Sequence, residues 1–148
     1  MHKNALTIII LIFFPFISLA ESSADVKKMP LEISDAWARK SMSSNNNSAA
    51  YMKINNTTDE QITIIAASAT DVANNAELHK SFVDEKGISR MVSVDAIVVP
   101  PKSTIELKQC GIHIMLLDLK ETLIPGKKFP ITIKMKGHDP ITVESSVK

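Results

Sequence analysis

Four side chains of this 148-residue chain carry donors that suit a soft metal ion: the imidazoles of His79 and His113 and the thioethers of Met91 and Met115. Thioether sulfur is soft and neutral and binds Cu(I) in preference to hard ions, and imidazole nitrogen serves copper in either oxidation state. A set of two histidines and two methionines therefore selects Cu(I) over Zn(II), which prefers thiolate, imidazole or carboxylate. Neutral donors leave only the ion's single positive charge, which an exposed position tolerates. His113 and Met115 are two residues apart. On a strand their Cα atoms lie about 7 Å apart on one face, so both can turn toward the same ion. His79 and Met91 must then be supplied by neighbouring loops or strands.

The elements that position these residues read as strands. Short apolar, β-branched runs recur between turn formers such as Asn45-Asn46-Asn47, Asn55-Asn56-Thr57, Pro100-Pro101 and Pro125-Gly126. The spacing predicts strands near 31–39, 49–55, 61–69, 76–83, 88–99, 103–108, 112–119, 129–136 and 141–146. No stretch holds a capped helical period. Strands without crossover helices predict an all-β, antiparallel two-sheet Greek-key sandwich of immunoglobulin-like architecture.

Alternation along those strands separates the candidate donors from the expected core. Ile112, Ile114 and Leu116 share the inward phase, and His113 and Met115 fall on the other. Met91 shares its phase with Ser89, Ser93 and Asp95, opposite Ile88, Val92 and Val94. His79 keeps company with Glu77 and Ser81, opposite Ala76, Leu78 and Phe82. All four donors are therefore expected on solvent-exposed faces. Met52 and Met135 behave differently: each is in phase with isoleucines and reads as core.

The order His79, eleven residues, Met91, twenty-one residues, His113, one residue, Met115 resembles the signature of the periplasmic PCu(A)C copper chaperones. Asp35-Ala36-Trp37-Ala38-Arg39, Ala50-Tyr51-Met52, Glu77-Leu78-His79 and Gly111-Ile112-His113-Ile114-Met115-Leu116 resemble that family as well, in order along residues 31–136. The resemblance implies a cupredoxin-like sandwich, one Cu(I) held by His79, Met91, His113 and Met115, and delivery of that ion to a partner. The implied recipient is the dinuclear copper centre of cytochrome c oxidase, on subunit II, or another assembly factor. Three features depart from the family pattern. Lys80 follows the first histidine, Cys110-Gly111 replaces a Gly-Gly pair, and residues 144–148 carry no tail donors, so one principal ion is expected.

Two other readings compete. Cys110, the single cysteine, could complete a His2Cys blue-copper site for electron transfer with an axial methionine. As a simple packing residue it would be small and half-buried in the turn before a strand. A metal-free adhesion or scaffold sandwich accounts for the fold but not for the donors. Enzymatic activity is not expected: no nucleophile–base or paired-carboxylate spacing stands out, and four protein donors leave no open metal position. His138 reads as a turn residue, Trp37 and Tyr51 as packing, and Met42 as part of an Asn-rich loop.

Residues 1–20 have a basic start, an apolar run and Ser18-Leu19-Ala20, the pattern of a signal peptide, which predicts export to the periplasm and a single domain over 21–148. An apolar run shorter than the ~20 residues of a membrane span argues against a retained anchor. A lipoprotein signal is not expected, because no cysteine lies near the cleavage point. One of the 17 basic residues lies in the leader, and the remaining 16 balance 16 acidic ones. Such a chain is a poor nucleic-acid partner. A monomer is expected, held by its apolar core because one cysteine permits no internal disulfide.

Overall fold

Alternating apolar and polar side chains favour extended backbone wherever one face can be buried, and the chain uses this repeatedly. The computed structural model describes residues 29–41 and 46–148, so the expected leader and Met42 lie outside the described residues. The described residues form ten strands: β1 (Leu31–Ala38), β2 (Ser48–Asn56), β3 (Ile62–Ser68), β4 (Ala73–Val83), β5 (Ser89–Ser93), β6 (Ile97–Val99), β7 (Thr104–Leu107), β8 (Ile112–Leu119), β9 (Lys128–Met135) and β10 (His138–Val147). Among the described residues there is no helix, and none long and apolar enough to cross a membrane.

The strands hydrogen-bond along one path, β5-β4-β8-β2-β1-β10-β9-β3-β6, with β7 beside β2. The path closes over itself around one apolar cluster. Ala50, Met52, Leu78, Ile114 and Leu116 face it from β2, β4 and β8; Ile62, Ile64, Ile97, Val99, Ile131 and Ile133 face it from β3, β6 and β9. Each fully buried aliphatic side chain contributes about 1.5–3 kcal/mol, so this cluster holds the fold together. Met52 and Met135 lie in it, as their phase predicts.

Two features differ from the expected sandwich. The sheet is mixed, because β1 and β10 run parallel, with Trp37 opposite Ser146 and Ala38 opposite Val147. The expected 88–99 strand is two strands at opposite ends of the path, β5 against β4 and β6 against β3. The chain leaves one layer for the other around Asp95. Alternation cannot reveal such a switch, because both halves remain extended.

Asn56 illustrates turn chemistry that composition only marks as punctuation. It is fully buried, and its amide donates to the carbonyls of Glu60 (2.7 Å), Val99 (3.1 Å) and Pro100 (3.0 Å). Its side-chain oxygen accepts from Thr58 N (2.9 Å) and Thr58 Oγ1 (2.8 Å). The β2–β3 turn is thereby tied to the end of β6, and both polar atoms of the buried Asn56 amide have partners.

Candidate metal centre

The candidate donors come from three neighbouring strands whose register is set by backbone pairing. On β4 and β8, His79 lies directly opposite His113, and Glu77 opposite Met115. On β4 and β5, His79 lies opposite Ser93, and Ser81 opposite Met91. Residues directly opposite in a ladder project from the same face, with Cβ atoms about 4.5–5.5 Å apart. His79, His113, Met91 and Met115 therefore share the face turned away from the apolar core. The histidines form the central pair, with the methionines displaced along the strands in opposite directions.

The two rings meet, with centroids 6.0 Å apart and planes inclined by 59°. His113 Nδ1 lies 3.0 Å from Gly111 O. A carbonyl can only accept, so this nitrogen carries the proton and leaves the Nε2 lone pair free. His79 Nε2 lies 2.9 Å from Glu77 Oε2. The carboxylate accepts in turn, and the remaining nitrogen, His79 Nδ1, is buried without a hydrogen-bond partner among the described residues. Each imidazole thus has one nitrogen tethered and one lone pair available. Metal-binding histidines are oriented in the same way, by a carboxylate or carbonyl on the far nitrogen. An unpartnered buried nitrogen costs free energy that a bound ion would recover.

Exposure grades steeply across the site. His113 is only 3 % exposed and Met91 is 52 % exposed, with Met115 half-buried between them and the His79 side chain 15 % exposed. The phase expected for His113 is the observed one, but the expectation that it faces open solvent is wrong. β8 is an interior strand, and Tyr51 of β2 places its ring 6.2 Å from that of His113. Trp37 of β1 continues the row, 4.5 Å from Tyr51. These two aromatics pack, as expected, yet they pack against the candidate site. Parity along β2 and β8 puts Tyr51 and His113 on one face, but that the strands are neighbours has no local signature.

Burial, with smaller repulsions from His79 and Arg39, holds the His113 imidazole below its ordinary pKa, against an opposing contribution from the Gly111 hydrogen bond. His113 is accordingly neutral and able to donate to a metal at neutral pH. Burial also raises the Tyr51 phenol, which stays protonated.

Cys110 occupies the turn before β8 with left-handed backbone (φ 60°). It is exposed rather than half-buried. Among the described residues, no three His, Cys, Asp or Glu side chains gather into a metal-binding group, so His79, His113 and Cys110 do not assemble the blue-copper arrangement. His138 stands beside the Lys136-Gly137 turn as the first residue of β10, remote in register from the histidine pair. Lys80 is exposed and projects from the opposite face of β4.

A family model described as "Putative lipoprotein LpqE-like" matches residues 31–147, almost the whole described domain. The chain belongs to the LpqE-like family. A putative lipoprotein of Leifsonia xyli subsp. xyli is 25 % identical over 118 residues, covering 80 % of this chain and 69 % of that protein. Among solved structures, this LpqE-like chain is similar to the copper-bound PCuAC domain from PmoF2, with a TM-score of 0.67, 20 % identity, and coverage of 81 % of this chain and 93 % of that one. It is also similar to CuI-DR1885 from Deinococcus radiodurans, with a TM-score of 0.62, 26 % identity, and coverage of 87 % and 85 %. The LpqE-like domain therefore has the all-β, cupredoxin-like fold of PCuAC domains, all-β as the strand pattern led one to expect and cupredoxin-like as the family resemblance implied.

Proposed function

We propose that this protein is an exported copper carrier that holds one Cu(I) ion with His79, His113, Met115 and Met91 and hands it to an acceptor protein. The observation that carries the reading is the cross-strand histidine pair. Each ring is tethered through one nitrogen and offers the other, with a thioether on either side along the strands. The similarity to a copper-bound PCuAC domain and to CuI-DR1885 supports the choice of ion. The signal-peptide pattern of residues 1–20 and the description of its family and of a relative as putative lipoproteins support export to the cell envelope; the periplasm as the compartment rests on the sequence resemblance. Delivery to the dinuclear centre of cytochrome c oxidase rests on the sequence resemblance alone.

The donors divide into an enclosed set and an exposed one. His79, His113 and Met115 lie on two strands paired along most of their length. Met91 lies on the outermost strand, and on an ideal flat sheet its Cα is about 12 Å from that of His113. An ion with a thioether on one side and an imidazole on the other covers such a span, whereas Met91 and Met115, about 17 Å apart on the same flat sheet, reach one ion together only if the β4–β5 hairpin bends toward β8. Transfer is then a ligand exchange. The bond from copper to an exposed thioether breaks and one to an acceptor thiolate forms; the thiol proton passes to water, and copper stays Cu(I). Thiolate binds Cu(I) more tightly than thioether, so the exchange runs downhill.

Competition with a chromophoric Cu(I) chelator tests the site. Met115→Leu keeps the side-chain shape while deleting a donor and is expected to weaken Cu(I) binding at least tenfold. Wild-type affinity in that variant would refute the assignment. X-ray absorption on the Cu(I) form should count two nitrogen and two sulfur neighbours.

A further inference from the structure

The strand that carries Met91 is exposed along its whole length. All five residues of β5 are exposed, and among the described residues β5 ends the strand path. Its apolar phase does not enter the core either: Ile88, Val92 and Phe82 are exposed on one side of the hairpin and Val83 and Met91 on the other. Apolar surface of this kind around an open sheet edge marks a contact site.

The hydrogen-bond phase of the edge is set. Asp84 N donates to Ile88 O (2.9 Å) and Val94 N to Leu78 O (2.8 Å), one at each end of the β4–β5 ladder. Between them Phe82↔Arg90 and Lys80↔Val92 are the pairs that exchange backbone hydrogen bonds, because such pairs alternate in an antiparallel ladder. Ser81 N turns the other way, to Gly111 O at 3.0 Å. The backbone N–H and C=O of Ser89, Met91 and Ser93 therefore point away from β4, toward the open edge. The hairpin is also pre-formed. The Asp84 carboxylate accepts from Lys86 N (3.0 Å), Ile88 N (2.9 Å) and Arg90 Nε (2.9 Å), and Gly87 supplies the left-handed turn (φ 77°).

We propose that the open edge of β5 is the docking strand for the copper acceptor, which adds an extended, cysteine-bearing segment to the sheet beside Met91. The proposal rests on the Cu(I) reading above. A strand added here hydrogen-bonds to Met91 N–H and C=O, and the residue it sets opposite Met91 projects from the same face as the donors, about 5 Å away. A cysteine at that position meets the ion where its most exposed ligand lets go. The size of the edge favours a passing partner over a second copy of this chain. Five residues span about 17 Å, and a contact one strand wide falls far below the ~1,200 Å² of a stable interface. A carrier must release its acceptor after each transfer, and so small a contact permits that.

The test uses nine-residue β-forming peptides with one central cysteine, compared with peptides of the same composition whose cysteine is flanked by prolines. Cu(I) should pass from the loaded protein to the strand-competent peptide at least tenfold faster than to the proline-flanked one. Ser89→Pro blocks an outward N–H without removing a ladder bond of β4 and should abolish that preference at unchanged Cu(I) affinity. Val92→Lys, which leaves the backbone intact and adds an edge charge, should reduce it at least threefold. Equal rates for the two peptides on the wild-type protein, or a preference that survives both substitutions, would overturn the proposal, as would a dimer that protects the Met91 amide. A cysteine-to-serine peptide added to metal-free protein should slow amide exchange at Ser89, Met91 and Ser93. If it does so on a protein that binds no Cu(I), the copper reading falls and the edge remains as a strand-binding site. Tight Cu(I) binding without any docking removes the edge and leaves the metal centre.

Discussion

The two sides of the histidine pair differ in nearly every physical respect. Toward the middle of the sheet, His113 is packed beside Tyr51 and Trp37 in an aromatic row that crosses β8, β2 and β1. Toward the edge, Met91 sits on a five-residue strand with solvent on both faces. A side chain locked by neighbours loses little further entropy when it binds an ion, whereas an exposed methionine must be ordered to do so. On the proposed copper reading, the buried side would supply affinity, and the exposed side the bond that breaks first. A site built wholly like the first would hold copper too well to deliver it; one built wholly like the second would hold it poorly.

The sharpest way to break this comparison is to remove the most buried donor. His113→Ala is expected to lower Cu(I) affinity by about 100-fold or more, close to 2.7 kcal/mol, measured by chelator competition. A loss no greater than that of an edge variant would mean that burial confers no advantage. Met91→Leu should cost about tenfold in affinity while changing the rate of transfer to a thiol acceptor more than any other donor substitution. If Met91→Leu proved more damaging to affinity than His113→Ala, the assignment of roles would be inverted.

A smaller effect follows from proton competition. The His113 pKa is lowered chiefly by burial, so on the proposed reading protons would displace copper from it only below the ordinary histidine value of about 6.5. The metal-free protein carries the same signature. Between the lowered folded value and about 6.5, the unfolded state binds the extra proton, so stability falls as pH drops through that window and is fully present above it. Denaturation midpoints measured across pH 4–8 should show a downward slope on the acid side that His113→Leu flattens. An unchanged slope in the variant would show that the imidazole does not titrate in a buried setting.

Much of this was legible in the residues. The phase of β8 separates His113 and Met115 from Ile114 and Leu116, and the structure keeps that separation. Met52 and Met135 read as core and are core. Alternation reports which face a residue occupies, because the two-residue period of a strand is local. It does not report what covers that face. For that reason His113 read as solvent-facing, and the apolar phase of residues 88–92 read as core when it is open to solvent on β5.

By itself, the sequence determined an all-β chain, its strands and their two faces, a core held without disulfides, and four candidate donors in the phase opposite that core. Only the tertiary structure decided that β8 lies between β2 and β4, that His79 stands opposite His113, and that the run after Gly87 breaks into strands at opposite ends of the sheet path. The reason is physical. Strand propensity and alternation act over a few residues, whereas pairing and burial depend on partners far away in the chain, and both the tethering of the two imidazoles and the openness of the β5 edge are products of pairing.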